Sequence, residues 1–228
     1  MSETIQLNAA DGFRFPTYVA RPGGPVRGAV VVVQEIFGVN AHIRAVADDY
    51  AAAGYLALAP DAFHRVQPGV ELGYTPEDIQ AGIALKARVE ALPAPGVLPD
   101  LQAAVDHAAT GGVKVAMVGY CWGGLLTWRS ACLLRGLSAA APYYGGGMTV
   151  GIEPARQPQC PVLCHFGAQD HAIALDTVEA FRRAQPAVEV QVYDAQHGFN
   201  CDHRGSYDAA AAALARERTL AFFARHLA

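Results

Sequence analysis

Apolar residues along this chain fall into two patterns that alternate from one end to the other. Short continuous runs, often β-branched, are typical of strands buried on both faces of a sheet. Between these runs, apolar residues recur at the three- and four-residue spacing of an amphipathic helix. The predicted strands cover residues 3–7, 13–20, 28–33, 55–58, 113–118, 137–144, 161–166 and 187–193. The predicted helices cover residues 42–53, 76–92, 101–109, 125 onward, 176–183 and 208–227.

The order of these elements predicts the fold. The first two strands flank Ala10-Asp11-Gly12 and predict a hairpin, whereas most later strands alternate with helices. This alternation predicts an α/β fold of the doubly wound kind, with a mostly parallel sheet flanked by helices. No internal repeat or linker divides the chain, so residues 1–228 are expected to form a single domain. Asp100 is expected to cap the helix over residues 101–109.

A predicted strand and a predicted helix meet in mid-chain at Gly119-Tyr120-Cys121-Trp122-Gly123-Gly124. A strand, a Gly-x-X-x-Gly turn and a helix form a nucleophile elbow, in which a strained turn raises one side chain above the sheet. Glycines flank that residue because a Cβ there would collide with the neighbouring strand and helix. The raised residue is Cys121, and the N-terminus of a helix favours its thiolate form. Cys121 is the candidate nucleophile; the alternative is a small buried thiol beside a tight turn.

Composition narrows the range of functions. The 228 residues carry a net charge of −4, which offers no basic surface for nucleic acid. Five cysteines at irregular spacing, without a secretory signal, are expected to be reduced thiols of a cytoplasmic protein. The longest uncharged stretch, residues 136–152, is interrupted by glycines and Pro142, so no membrane span is expected.

Candidate partners for Cys121 follow two later strands. Asp170 comes after the strand over residues 161–166, and His197 comes after the last strand. The order of nucleophile, acid and histidine is that of α/β-hydrolases. His197 would take the thiol proton and return it to the leaving group, and Asp170 would hold the imidazole in the required tautomer. The nearest competitors, for the acid and for the base, are His171, Asp176 and His203.

Stabilising a tetrahedral intermediate requires backbone N–H groups aimed at the developing oxyanion. The N–H of Trp122, directly after the nucleophile, is one candidate, and the N–H of Ile36, after the strand over residues 28–33, is the second. Glu35 lies in the same loop, where its carboxylate would face the site. Its charge would repel the thiolate and favour a neutral thiol until substrate displaces Glu35. An unchanged dependence of alkylation rate on pH in Glu35→Gln would remove Glu35 from the mechanism.

Six motifs are spread over nearly the whole chain: Gln34-Glu35-Ile36-Phe37-Gly38-Val39-Asn40, Gly54-Tyr55 with Ala59-Pro60-Asp61, Gly119-Tyr120-Cys121-Trp122-Gly123-Gly124, Tyr143-Tyr144-Gly145, Gly167 with Asp170, and His197-Gly198-Phe199. In this combination the chain resembles the dienelactone hydrolase family. The resemblance implies an α/β-hydrolase fold, hydrolysis of an ester or lactone through an acyl-cysteine, and usually a monomer without a metal. It also implies a triad of Cys121, Asp170 and His197, with Glu35 as the residue that activates the thiol when substrate arrives.

The substrate-facing residues depart from this resemblance at one point. The residues expected to line the cleft are Phe37, Tyr144 and Phe199. Family members that act on dienelactone itself place arginines in the cleft to bind the substrate carboxylate, one of them shortly after the catalytic histidine. This chain has Cys201 there, and Arg204 or Arg65 would have to replace the missing cation. The sequence therefore predicts a hydrolase but does not identify its substrate.

Two other classes of function stay open at this point. One is a non-catalytic or regulatory module that binds a ligand in the same fold, and the other is a redox protein that uses Cys121. A metal site formed by Cys160, Cys164, His165 and His171 is not expected, because these cysteines border or occupy one strand instead of converging loops.

The prediction is thus a cytoplasmic cysteine hydrolase of carboxylic esters or lactones. It would act on a small molecule, as a monomer, without cofactor, metal, nucleic acid or membrane. The Pro- and Gly-rich segment over residues 68–96 is the candidate lid.

Overall fold

The computed structural model covers residues 1–228 and has eight strands in one sheet, in the order β1-β2-β4-β3-β5-β6-β7-β8. The strands are β1 (Ser2–Asn8), β2 (Arg14–Ala20), β3 (Ala29–Val33), β4 (Leu56–Pro60), β5 (Val115–Tyr120), β6 (Leu137–Tyr143), β7 (Leu163–Gly167) and β8 (Glu189–Tyr193). The helices are α1 (Ala41–Ala52), α2 (Pro76–Glu90), α3 (Leu98–Ala108), α4 (Trp122–Leu133), α5 (Leu175–Ala184) and α6 (Ala209–Leu227). No helix combines the length and the hydropathy needed to span a bilayer.

The sheet is parallel from β4 to β8, which confirms the predicted α/β architecture. The predicted hairpin is also confirmed, since β1 pairs antiparallel with β2. β2 in turn pairs antiparallel with β4 and extends that edge of the sheet.

The middle of the sheet is apolar on both faces. All residues of β3 and β5 are buried, because helices cover both sides of a parallel sheet. The chain can therefore place polar side chains only where these strands end. The carboxyl ends of the parallel strands all lie at one edge, and the loops that follow β3, β5, β7 and β8 meet there.

The prediction that Asp100 caps a helix at residue 101 was wrong. α3 begins at Leu98, so Asp100 lies inside the first turn, where its side chain is buried. Its carboxylate instead accepts hydrogen bonds from Arg65 Nε at 2.8 Å and from Arg65 Nη2 at 2.6 Å. A bidentate ion pair with a distant arginine is stronger than a single bond to a backbone N–H, and the pattern of neighbouring residues does not reveal it.

Candidate active site

Cys121 lies on a strained turn between the end of β5 and the start of α4. Its φ of 56° is a left-handed conformation that costs a non-glycine residue about 1–3 kcal/mol. Gly123 and Gly124 allow the turn, because a Cβ on them would lie 2.4 Å from the Gln34 carbonyl oxygen and 2.6 Å from the Tyr143 carbonyl oxygen. Cys121 is partly exposed, while the residues on either side are buried. The predicted elbow is thus formed, with Cys121 at its tip.

His197 and Asp170 come together from the loops after β8 and β7. His197 Nδ1 lies 2.7 Å from Asp170 Oδ2. The other carboxylate oxygen accepts the N–H groups of Ala172 at 2.8 Å and Ile173 at 3.1 Å, which fixes the carboxylate in place. Because Asp170 accepts, the imidazole donates through Nδ1, and this tautomer leaves Nε2 able to accept a proton.

The imidazole of His197 is held beside Cys121. Burial by itself would lower the pKa of His197, but the charge of an ionised Cys121 and the hydrogen bonds to Asp170 and Cys121 raise that pKa to about 10. An imidazole with this pKa is protonated at neutral pH for as long as Cys121 is a thiolate. The imidazole is therefore placed to take the proton that the Cys121 thiol gives up.

Glu35 lies just after β3 and is completely buried. Its Oε1 accepts a hydrogen bond from Arg204 Nη1 at 3.2 Å, whereas its Oε2 has no hydrogen-bond partner. A buried carboxylate without a cation is unfavourable by several kcal/mol, so Arg204 is the group that compensates this charge. Burial would lower the pKa of Arg204, but the charges of Glu35 and Cys121 raise it. The guanidinium is thus close to both groups.

Of the two arginines proposed as replacements for the missing cation, only Arg204 reaches the site. Arg65 pairs with Asp11 at 2.8 Å and with Asp100 at 2.6 Å. Asp11 lies in the turn between β1 and β2, and Asp100 lies in α3. Because these two carboxylates already pair with the Arg65 guanidinium, the prediction that Arg65 could bind a substrate carboxylate was wrong. Cys201, at the position where the arginine was expected, is buried, and the cation comes from three residues further along the chain.

The three aromatic residues predicted to line the cleft are buried. Phe37 is 1% exposed, and Tyr144 and Phe199 are 0% exposed. The Tyr144 ring packs edge-on against the His197 imidazole, with centroids 5.1 Å apart, and against Phe199 at 5.2 Å. Phe37 lies 5.8 Å from the Arg204 guanidinium. These rings hold the polar side chains of the site in position, and their contact with substrate stays a prediction.

Ile36 and Trp122 follow β3 and β5, which are neighbours in the sheet. Trp122 is the first residue of α4, so its N–H has no carbonyl partner within the helix. The Ile36 N–H donates to no acceptor of the protein. Two backbone donors without an acceptor in the protein therefore follow two neighbouring strands.

The competing residues lie outside this arrangement. His171 is exposed, and Asp176 accepts the N–H of the next residue at 2.7 Å. The side chain of His203 is 48% exposed and lies 3.7 Å from Asp202. None of the three contacts the imidazole of His197.

His165 has a structural role. Its Nδ1 lies 2.8 Å from the Tyr193 hydroxyl and its Nε2 lies 2.9 Å from the Thr219 hydroxyl. Burial lowers the pKa of His165 to about 3, so the ring stays neutral. Both nitrogens are occupied by neighbours in the core, which leaves neither for a ligand.

A second polar cluster adjoins the site and was not predicted from the sequence. It is formed by Glu35, His42 and Cys201, whose potential ligand atoms all lie within 4.8 Å of one another. No spacing in the sequence connects them, because they come from three separate segments. Only the tertiary structure brings them together.

Cys121 lines none of the four main cavities of the surface. These measure about 120, 330, 420 and 960 Å³ and are lined by other residues. The cavity of about 330 Å³ lies between α1 and α6 and includes His42 and Asp202 in its wall. The candidate active site is therefore identified by its converging side chains and not by any of these four cavities.

Comparisons with known proteins agree over the whole chain. The model of the dienelactone hydrolase family matches residues 15–227. The carboxymethylenebutenolidase of Pseudomonas putida is 33% identical over 232 residues, which are 98% of this chain and 97% of that protein. A crystal structure from Klebsiella pneumoniae named "Putative Dienelactone Hydrolase" has a TM-score of 0.82 and 34% identity, over 99% of this chain and 98% of that one. A dienelactone hydrolase-like promiscuous phosphotriesterase from metagenomic libraries has a TM-score of 0.74 and 25% identity, over 100% of this chain and 99% of that one.

Proposed function

Because the chain belongs to the dienelactone hydrolase family, whose members are hydrolases of lactones and esters, we propose that it cleaves such a bond through an acyl-enzyme intermediate on Cys121. One observation carries the proposal. The strained turn at Cys121, with φ of 56°, stands beside an imidazole that is itself fixed at 2.7 Å by Asp170. A nucleophile, a base and a group that orients the base are the three parts that acyl transfer requires.

In the first step the Cys121 thiolate attacks the carbonyl carbon, and the carbonyl oxygen becomes an oxyanion. The N–H groups of Ile36 and Trp122 donate to that oxygen, and each such donor is worth about 10²–10³ in rate. The carbon–oxygen bond of the ester or lactone then breaks. The leaving alkoxide takes the proton from the His197 imidazolium, and the acyl group stays on sulfur as a thioester.

In the second step a water molecule attacks the thioester. His197, now neutral, accepts a proton from that water, and the same two N–H groups stabilise the second oxyanion. The carbon–sulfur bond breaks, and Cys121 leaves as the thiolate while the imidazole is again protonated. The product is the free acid. For a lactone, the new carboxylic acid and the new hydroxyl group are in the same molecule.

Glu35 and Arg204 control how readily the thiolate forms. The carboxylate of Glu35 opposes a negative charge on Cys121, and the guanidinium of Arg204 offsets it, since Glu35 is buried and the partly exposed Arg204 is close to both groups. A substrate group that displaces Glu35 shifts this balance towards the thiolate. Glu35 is thereby assigned the role of activating the nucleophile when substrate arrives.

The same pair bears on the charge of the substrate. Arg204 is the cation at the site, and one of its nitrogens is already bonded to Glu35. A substrate carboxylate would have to share this guanidinium, so it is held less strongly than by an unpaired arginine. Neutral esters and lactones are therefore expected to be the better substrates.

Steady-state hydrolysis of neutral aryl esters tests the proposal. Cys121→Ala should lower kcat by about 10³-fold or more, because the nucleophile is removed. Cys160→Ala is the matched control, since Cys160 is a buried thiol outside the site, and it should retain turnover. Full turnover by Cys121→Ala would contradict the cysteine mechanism. No turnover by the wild type across a panel of esters and lactones would favour a ligand-binding role instead.

A further inference from the structure

Glu35, His42 and Cys201 form a compact set of ligating side chains in the interior. One potential ligand atom from each lies within 4.8 Å of the others. Glu35 and Cys201 are 0% exposed, and His42 is 4% exposed. A carboxylate, an imidazole and a thiol thus converge among buried residues.

Two atoms of this cluster have no partner. Glu35 Oε2 and His42 Nε2 are both buried and make no hydrogen bond. Buried polar atoms are normally paired, because an unpaired acceptor loses its bond to water without replacement. Two unpaired acceptors beside one thiol therefore leave lone pairs that are free to bind a cation.

The other nitrogen of His42 is prepared for metal binding. His42 Nδ1 lies 3.2 Å from Asp202 Oδ1, which places the ring proton on Nδ1. The lone pair of Nε2 is then directed to the side away from Asp202. A carboxylate that fixes the tautomer of a ligating histidine in this way is the usual outer partner of such a ligand.

We propose that Glu35, His42 and Cys201 form a site for one thiophilic divalent cation, of which Zn²⁺ is the representative. Thiolate, imidazole and carboxylate are the three donor types that Zn²⁺ takes in proteins, and three protein ligands leave a fourth position for water. On binding, the metal–sulfur bond replaces the S–H bond of Cys201, whose proton passes to solvent, and no oxidation takes place.

The cluster also has a route for the ion. His42 and Asp202 line the cavity of about 330 Å³ between α1 and α6. Outside them, His203 offers a ring nitrogen that, together with His42 and Asp202, forms a second group within 4.8 Å. Asp202 and His203 are exposed, so this outer group connects the buried cluster with solvent.

Occupation of the site has a consequence that rests on the proposed function. Glu35 would be shared between the metal and Arg204, and it would no longer be displaced by substrate. The metal should therefore inhibit hydrolysis reversibly. Binding itself does not depend on that function, so the two claims fail separately.

Binding is measured with Co²⁺ alone, because a cobalt–thiolate bond has a charge-transfer band in the near ultraviolet. We expect one equivalent of Co²⁺ to produce this band in the wild type, and excess Zn²⁺ to remove it. Cys201→Ser should abolish the band, and His42→Gln should weaken Co²⁺ affinity by about 10-fold or more. Circular dichroism checks that both variants are folded.

Two control variants exclude other thiols. Cys121→Ser removes the catalytic thiol and Cys160→Ser removes a buried thiol elsewhere, and both should keep the band. A band that persists in folded Cys201→Ser, or that disappears in Cys121→Ser, would overturn the site, as would the absence of any band in the wild type. If the band forms but Zn²⁺ does not inhibit ester hydrolysis, the metal site is supported and the proposed effect of the metal on Glu35 is overturned.

Discussion

Single residues after the ends of strands carry the chemistry proposed for this site, and they differ in how well the sequence reveals them. Cys121, Asp170 and His197 each lie in the loop or turn after a parallel strand, so their meeting at one edge of the sheet is predictable from chain order. The partnership of Glu35 and Arg204 is not predictable in this way. It depends on the path of the loop after His197, which brings Arg204 back to Glu35 at 3.2 Å.

The titration of His197 reports its contact with Cys121. In the wild type the pKa of His197 is raised to about 10, and the charge of Cys121 is the largest of the influences that raise it. Cys121→Ala removes this influence and leaves Asp170, which raises the pKa, against burial, which lowers it, so the midpoint should fall. Nitrogen chemical shifts of the imidazole against pH measure both midpoints. Equal midpoints in the two proteins would show that sulfur and imidazole do not interact.

The Glu35–Arg204 pair should be visible as a coupling energy. Arg204→Met leaves Glu35 buried without a cation, and we expect a loss of about 1–3 kcal/mol in the free energy of unfolding, less than for a fully buried pair because Arg204 is partly exposed. Adding Glu35→Gln should recover part of this loss. Urea denaturation of both single variants and the double variant gives the coupling.

The control for this cycle is Arg135→Met. Arg135 is 83% exposed and lies 3.8 Å from Asp106, so its replacement should change stability by less than about 0.5 kcal/mol. Strict additivity of the Glu35 and Arg204 changes would mean that the two side chains are not paired in solution.

At the scale of elements, α2 and the segment before it hold the loop that carries Glu35 and Ile36. Leu72 N–H donates to the Phe37 carbonyl at 2.9 Å, and Trp122 Nε1 donates to Glu90 at the end of α2 at 2.8 Å. Periodicity predicted the helix itself, with an end at residue 92 in place of Glu90. Its docking could not be predicted, because contacts between a helix and a distant loop leave no regular spacing in the sequence.

Gly82 in α2 allows the closest of these contacts. A Cβ at Gly82 would lie 2.3 Å from the Ile36 carbonyl oxygen, so Gly82→Ala must move the loop that carries the proposed oxyanion donor. We expect kcat to fall by about 10–100-fold with a smaller change in KM, as when such a donor is misplaced. Steady-state kinetics with an aryl ester measures both constants.

Gly111→Ala is the matched control, because nothing lies within 4 Å of a Cβ there. It should leave kcat unchanged. Alanine also favours a helix interior over glycine by about 1 kcal/mol, so a purely local effect at Gly82 would raise stability and leave kcat intact. That result would contradict the role of α2 in positioning Ile36.

At the scale of the whole molecule, the alternation of apolar runs with helical spacing was enough to predict a mostly parallel sheet flanked by helices. The eight strands of the structure correspond one to one with the predicted runs. The order of the strands was not predictable, since β2 pairs with β4 instead of the next strand in the chain. Long-range pairing of this kind depends on which faces can be buried together, and a local pattern does not contain that information.

The central claim is that the acyl group is carried by the sulfur of Cys121, and mass spectrometry of the trapped intermediate tests it most directly. The enzyme is mixed with an activated ester, quenched in acid and digested, and the mass of each cysteine peptide is determined. We expect the acyl mass on the peptide that contains Cys121 and on no other peptide. An acyl mass on another residue, or none during measurable turnover, would contradict the account.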